Sequence, residues 1–414
     1  MQDIYKDELN EILKRLSNEL DITETEYNAA KKSYSAIGEW LTKDDSPLAK
    51  LNPTILPQGS FSLGTVVRPI NDEDDIDIDL VCNFEIKPEN WTQEQVKNSV
   101  GDRLKVHETY RTMIEDMDGG RRCWTLEYKS NGSYHMDILP STSIEDLEII
   151  LEEKFYNDDT DVDYSKLAIR ITDKELGNYS TETNSSYWNK SNPYGYAKWF
   201  YKRAIIDVTR LFSLNEAIRP VDNYTDKKLP LQRAVQLLKR HRDIMFKDDS
   251  LESCDKPISI IITTLASKAY DKSDNVIDAL SGIVSRMRDY IEVRNVPYTD
   301  RTELWVANPI NDEENFADKW SETPQKKDYF FLWLDKLEED ISHLKSNSGK
   351  GLHNLNESFS KKFGKKASDK VFTDYGNYKR TLREDNKRKM STTTGLLGLT
   401  GMPIKKHNFY GTDE

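Results

Sequence analysis

From Gln58 the chain runs Gln-Gly-Ser-Phe-Ser-Leu-Gly-Thr, passes through an acidic stretch, and continues as Ile76-Asp77-Ile78-Asp79-Leu80-Val81-Cys82. That last run constrains the fold more than any other segment. Successive strand side chains point to opposite faces, so the alternation sets Ile76, Ile78 and Leu80 on one side and Asp75, Asp77 and Asp79 on the other. The ordinary reading of a run such as Asp72 to Asp79 is a solvated loop, but a solvated loop has no reason to keep a β alternation, because nothing would be buried by it. Like charges crowded on one face repel unless a cation joins them. Hard oxygen ligands of this kind suit Mg²⁺, which is held by one or two carboxylates together with substrate phosphates. Upstream, Gly59 leaves the backbone room beside a ligand, Ser60 adds a hydroxyl, and the N–H groups of a short helix start would face an anion such as a triphosphate, with Gln58 at its edge. A phosphate cradle leading into a Mg²⁺ ledge is the layout of a nucleotidyl-transfer site.

A third carboxylate is predicted from a hairpin. Trp124-Thr-Leu-Glu-Tyr and Tyr134-His-Met-Asp-Ile-Leu read as two strands joined at Asn131-Gly132, a strong hairpin signal. The second strand carries Asp137 between Met136 and Ile138. A lone Asp in a strand is commonly an edge residue, yet this hairpin could lay Asp137 beside the acidic strand.

Around this centre, apolar residues of helical period (Leu9, Ile12, Leu13, Leu16, Leu20, then Tyr27, Ala30, Tyr34, Ile37, Leu41) predict one or two helices over 5–43. The three prolines of 46–57 predict a connector. A helix is expected over 91–104, loop and strand over 109–125, and a strand over 166–172. From Pro230 the pattern turns helical, over 231–246, 258–270, 276–293 and 329–344. An α+β half followed by a mostly helical half implies two lobes with a cleft between them. The expected organisation is a helical segment 1–45, a catalytic core 46–185, a helical lobe 186–345, and a basic segment with a Gly-rich tail 346–414.

A chain of 414 residues, 36% hydrophobic and 32% charged, holds a sizeable core. No run approaches the ~18 apolar residues of a membrane span and the first residues do not resemble a signal peptide, so a cytosolic protein without membrane contact is expected. Cys82, Cys123 and Cys254 are too few and scattered for a disulfide framework, and each is read as a buried thiol. The net charge of −13 argues against wrapping a nucleic-acid duplex. The basic stretch Lys345 to Lys389 holds 13 Lys and Arg against 5 Asp and Glu, a local net of +8. It reads as a solvated, partly mobile face, with contact to a polyanion or partner as the second reading.

These residues resemble a known family. Gly59-Ser60, Gly64-Thr65, Asp77-Ile-Asp79 and His135-Met-Asp137-Ile-Leu-Pro140 are similar to the motifs of the cGAS/DncV-like nucleotidyltransferases (CD-NTases) of the DNA polymerase β-like superfamily. Trp188 with Ser191-Asn-Pro193, the segment Leu231 to Arg242, Pro257-Ile-Ser259, and Asn308-Pro with Asn315 to Trp320 resemble segments of the bacterial members. The resemblance implies a bilobal polymerase β-like core with the active site in the cleft. It also implies two Mg²⁺ ions, or Mn²⁺ in their place, on Asp77, Asp79 and Asp137. Ser60 matches the triphosphate-contacting serine, and Lys239 and Ser259 look like the pair completing that grip. Asp75-Ile-Asp77 is an alternative register, and Leu80-Val-Cys following the later pair favours Asp77 and Asp79.

The implied activity is synthesis of a cyclic di- or trinucleotide from NTPs, with release of pyrophosphate, as an alarm signal in antiphage (CBASS) defence. No His/Cys cluster resembles the zinc thumb of the DNA-sensing animal members, which argues against nucleic-acid activation. The tail His407-Asn-Phe-Tyr-Gly411 resembles tails that CBASS accessory proteins handle. Two readings stand beside this one: a polymerase β-like transferase acting on a nucleic-acid 3′ end or a protein, and a nucleotide-binding regulator without turnover.

Overall fold

The computed structural model describes residues 3–71, 75–129, 134–143, 164–206, 227–247, 251, 255–296, 299–385, 387, 389–390, 397–398 and 402–403. The chain opens with α1 (Asp3–Glu19) and α2 (Glu24–Thr42). Their break is fixed by Thr23, whose side chain accepts from the Glu26 amide while Glu26 reaches back to the Thr23 amide. The two helices part company in packing. Leu9, Ile12, Leu13 and Leu16 of α1 join the core of the helical half, whereas Ala30, Tyr34, Ile37 and Leu41 of α2 cover the sheet.

The sheet is built from β1 (Pro53–Pro57), β2 (Ile76–Phe84), β3 (Trp124–Tyr128), β4 (Tyr134–Thr142), β5 (Ile169–Ile171) and β6 (Asn189–Ser191). Its order is β1-β2-β4-β5-β6, with β3 on β4. β2 and β4 run parallel while the other pairs are antiparallel, so the sheet is mixed. The helices α3 (Gly59–Ser62), α4 (Gln93–Val106) and α5 (Glu108–Met113) belong to this half. Ile76, Ile78, Leu80 and Cys82 bury one face of β2, as the alternation requires.

The helical half comprises α6 (Pro193–Ala204), α7 (Pro230–Met245), α8 (Ser259–Ala269), α9 (Val276–Arg286), the strands β7 (Glu292–Asn295), β8 (Thr302–Trp305), β9 (Ala307–Asn308) and β10 (Asn311–Asn315), then α10 (Lys319–Glu322), α11 (Pro324–Asn347), α12 (Leu352–Phe363) and α13 (Lys365–Glu384). The two-residue strands β11 (Lys389–Met390), β12 (Leu397–Gly398) and β13 (Met402–Pro403) follow. Buried on nearly every side, α7 is the axis of this half.

Several expectations are corrected. The proline-rich connector contains β1, because Pro53 and Pro57 sit at the ends of an edge strand, where a missing N–H costs no ladder bond. The 109–125 stretch begins as α5, capped by His107, before any strand. Residues 164–167 form a 3₁₀ turn, leaving only β5 as strand, and the 276–293 helix ends at Arg286.

The largest correction concerns 346–384, which is no solvated segment. α12 and α13 bury Leu355, Phe359, Phe363, Val371, Phe372 and Tyr375 in the helical core. Their lysines meet acids: Lys370 pairs with Glu19, Lys379 with Glu8, and Lys362 with buried Asp340. Cys82 is buried as expected, Cys123 is partly exposed, and Cys254, Asn131-Gly132 and His407 to Gly411 lie outside the described residues. Among the described residues no helix is long and apolar enough to cross a membrane.

Candidate active site

The parallel register of β2 and β4 sets Asp77 opposite His135 and Asp79 opposite Asp137. Neighbouring strands lie about 4.8 Å apart, so Asp79 and Asp137 share one face as direct neighbours. On the other flank of β4, Thr125 stands in register with Asp137 and its hydroxyl donates to Asp137 Oδ1 at 2.5 Å. Two strands thus bring the sequence-predicted carboxylates together, and a third adds a donor that the sequence reading did not single out. Its only signal was position: Thr125 is the hairpin partner of Asp137.

Above this ledge lies the Gly-Ser turn. β1 pairs with β2 up to Pro57 and Leu80, and the Gln58 amide then donates to the Asp79 carbonyl at 2.8 Å, which swings α3 over the acid. Gly59 has φ +59°, and a Cβ built on it would collide with the Asp79 carboxylate. Glycine is required twice over here, by backbone conformation and by space. Ser60 follows on α3, its carbonyl accepting from the Thr65 amide at 2.9 Å.

The electrostatics are those of an acid whose nearby cations, Lys239 and His135, do not offset burial and the neighbouring carboxylates. Burial, reinforced by the charges of Asp137 and Asp77, pushes the Asp79 carboxyl up to about 6. Asp77 is largely exposed and makes an ion pair with His135 Nε2, while His135 Nδ1 lies 3.4 Å from Asp75 Oδ2. The hydrogen bond to Asp77 is the main reason the His135 imidazole is pushed up to about 9, so it is a cation at neutral pH. His135 has no role legible in the sequence motif, and its place opposite Asp77 follows from the parallel pairing. Asp75 lies four residues before Asp79, roughly 13 Å away along a strand.

The helical half supplies cations. Lys239 of α7 is buried, its Nζ donating to the Thr65 carbonyl at 3.2 Å, and it lies within the electrostatic reach of Asp79. Burial, then the neighbouring Arg242, bring its ammonium down to about 8. Ser259 opens α8, where its Oγ accepts from Arg242 Nη1 at 2.9 Å, and Arg242 Nη1 also donates to the Pro257 carbonyl at 3.0 Å. Ser259 is thus held by Arg242, which lies one turn along α7 from Lys239.

Among the described residues no three His, Cys, Asp or Glu side chains form a ready-made metal cage. The donor set nonetheless fits Mg²⁺, an ion that keeps several waters and completes its shell with substrate phosphates rather than with an all-protein cage. The glycine cradle against Asp79 and the unrelieved repulsion between Asp79 and Asp137 are what such an ion would resolve.

A family model described as Cyclic GMP-AMP synthase DncV-like, nucleotidyltransferase domain, matches residues 53–140, from the start of β1 to Pro140 of β4. The c-di-GMP synthase of Roseivirga ehrenbergii is 30% identical over 350 residues, covering 83% of this chain and 81% of that protein. In fold the chain is similar to the Bradyrhizobium diazoefficiens CD-NTase CdnG, solved in complex with GTP, with a TM-score of 0.60 over 89% of this chain and 99% of that one at 17% identity. E. coli MS115-1 CdnC with ATP gives a TM-score of 0.54 over 86% and 96% of the two chains at 14% identity, and its complex with HORMA-deltaN gives 0.52 over 83% and 93% at 13%. The matched domain covers the strands that carry Asp79 and Asp137, and the sequence likeness runs on through the helical half. At that identity and coverage the chain belongs to the cGAS/DncV-like nucleotidyltransferases, the CD-NTases.

Proposed function

We propose that this chain joins nucleoside triphosphates, GTP foremost, into a cyclic dinucleotide with release of pyrophosphate, and that the product is a second messenger in antiphage defence of the CBASS type. The observation that carries the reading is the in-register pair Asp79 and Asp137 beneath the Gly59-Ser60 turn. GTP is favoured because the relative from Roseivirga is a c-di-GMP synthase. The defence role rests on family membership.

In this reading Asp77, Asp79 and Asp137 would hold the Mg²⁺ ions, which when bound acidify the attacking ribose hydroxyl and stabilise the leaving pyrophosphate. Asp137 takes the position nearest that hydroxyl and accepts its proton, with Thr125 donating to its Oδ1. Gly59 lets the backbone approach the triphosphate, Ser60 contributes its hydroxyl, and Gln58 borders the turn. Lys239, still mostly protonated at pH 7, offers positive charge from the opposite side, and Ser259 is held for the same task by Arg242. Orientation of two bound nucleotides and charge neutralisation at the phosphate are thereby divided between the two halves. The complex of CdnC with HORMA-deltaN supports an accessory protein as a partner for this chain as well.

The test is mass spectrometry of products from ATP, GTP, CTP and UTP, singly and mixed, with and without Mg²⁺ and with no acceptor added. A cyclic dinucleotide from GTP is the expected result. Pyrophosphate release that requires an added nucleic acid or protein acceptor would overturn the reading in favour of an end-modifying transferase.

A further inference from the structure

The segment leaving the Gly-Ser turn has no helix or strand to satisfy its backbone. From Ser62, the last residue of α3, to Pro69 the chain forms a turn and then no regular element, so its carbonyls must find partners elsewhere. They find them almost wholly on α6 and α7. Tyr201 Oη donates to the Ser62 carbonyl at 3.0 Å, Gln232 Nε2 to Leu63 at 2.9 Å, Lys239 Nζ to Thr65 at 3.2 Å, Gln236 Nε2 to Val66 at 2.7 Å, and Arg240 to Arg68. Positions 232, 236, 239 and 240 are spaced three and four apart, so one face of α7 carries the whole row.

Gln236 differs from its neighbours in being clamped from behind. Its Nε2 also donates to Asp21 Oδ1 at 2.5 Å, and its Oε1 accepts from Arg233 Nη1 at 3.2 Å. Arg233 Nη1 donates in turn to Asp21 Oδ2 at 2.5 Å and to the Ser17 carbonyl at 3.1 Å, and Lys228 pairs with Asp21 Oδ1. Gln236 is fully buried, and Asp21 and Arg233 are nearly so. Replacing buried ionic groups of this kind with apolar side chains is often neutral or stabilising, so stability alone does not account for them. What the cluster does supply is a fixed place for the Gln236 amide, and hence for Val66.

We propose that Gln236, held by Asp21 and Arg233, is a positioning residue for nucleotide binding. By fixing the Val66 carbonyl it sets the segment that closes the Gly59-to-Gly64 turn, and with it the placement of Ser60. Thr65 ties the two together, its amide donating to the Ser60 carbonyl one residue before Val66. At Gly64, φ is +64° and a Cβ would press on the Gln232 amide, so the turn is fitted closely to α7. The proposal rests on the reading of Ser60 as a triphosphate contact.

Gln236→Met keeps the side-chain length and removes both donor and acceptor. In the full-length protein three readouts are followed: hydrogen exchange of the amides of 59–68, the apparent KM for GTP with Mg²⁺, and kcat for pyrophosphate release. Exchange of the Leu63, Thr65 and Arg68 amides is expected to speed up. The KM is expected to rise about fivefold or more, the scale of one lost buried hydrogen bond, with kcat within about twofold. In a Ser60→Ala background the same substitution should add little, because both changes act through one turn.

A merely structural role would lower kcat through loss of folded protein and leave KM unchanged, and that outcome overturns the proposal. So does wild-type exchange over 59–68 in a folded variant, or an effect that multiplies fully with Ser60→Ala. Should Gln236→Met fail to fold, Gln232→Met, which loses the Leu63 bond and leaves Asp21 untouched, is held to the same outcomes. If the wild-type protein releases no pyrophosphate from any NTP, the functional reading falls, while exchange still decides whether the α7 row holds the turn.

Discussion

Two sets of carboxylates, one in each half of the molecule, show what separates a structural acid from a candidate catalytic one. In the helical half Asp340 is surrounded by basic side chains: His241 Nε2 lies at 3.1 Å, Lys362 Nζ donates at 2.6 Å and Lys336 Nζ lies at 3.4 Å. Those partners hold its carboxyl well below the ordinary range despite burial. In the sheet half Asp79 has the opposite surroundings, with burial and two further carboxylates holding it well above that range. Desolvation acts on both, so desolvation does not identify a site. The distinguishing feature is whether the protein's own cations already balance the charge, and at Asp79 that balance is left for a ligand to bring.

The contrast is tested most severely by removing one acid from each set. Asp79→Ala should abolish pyrophosphate release from NTPs while the thermal midpoint stays level or rises, because a charge has been taken out of a repelling cluster. Retained turnover would move the candidate site elsewhere, and a collapse in stability would make Asp79 a structural acid like the other. Asp340→Ala should do the reverse. It strands Lys362 and His241 in the core and is expected to cost about 3–5 kcal/mol, read by denaturant unfolding, while KM for GTP in the folded fraction stays at the wild-type value.

The pH dependence sharpens the same comparison. A carboxyl lowered in the folded state contributes stability above the pKa of the unfolded chain, and loses it as pH falls toward the folded value. Asp340→Asn should therefore be less stable than wild type at pH 7, with the gap closing below about pH 4, near the ordinary carboxylate value of 3.8. A gap that is constant with pH would mean the charge of Asp340 is not what holds His241 and Lys362.

A smaller effect is expected at Lys239, which faces both worlds, as a buried cation of the helical half near the acids of the sheet half. Lys239→Ala should raise the apparent KM for NTP by about tenfold, the scale of a lost hydrogen bond to a charged group, with a smaller change in kcat. An unchanged KM would confine Lys239 to its bond with Thr65.

The sheet-half acids were legible in the sequence because a period of two is hard to imitate by chance: Ile76 to Cys82 could only be a strand, and Asp137 lay in the second arm of a hairpin. Their exact pairing was not, since the parallel register of β2 with β4 joins residues 58 positions apart and leaves no local signal. The helical-half acids were opaque for the same reason. Asp21 lies in the short connection between α1 and α2, yet its partners come from positions 228 to 236. α12 and α13 were hidden differently. Leu355, Phe359 and Phe363 do recur at helical spacing, but the lysines between them made the stretch read as a charge run.

That charge run permits a last division, now within one segment. Lys362 and Lys370 both belong to the basic stretch and both pair with an acid, but Lys362 is 9% exposed at its side chain and Lys370 is 59%. An exposed pair contributes about 0.2–1 kcal/mol at most, and salt screens it. Lys370→Ala should accordingly lower stability by no more than that, in a low-salt thermal melt, and the difference should vanish near 1 M salt. The seating of α13 would then rest on Val371, Phe372 and Tyr375, which are nearly buried and indifferent to ionic strength. A loss of several kcal/mol from Lys370 alone, or one that persists in high salt, would mean that charge clamps α13 to α1. In that case the division between compensated buried acids and incidental surface pairs would not extend to the C-terminal helices.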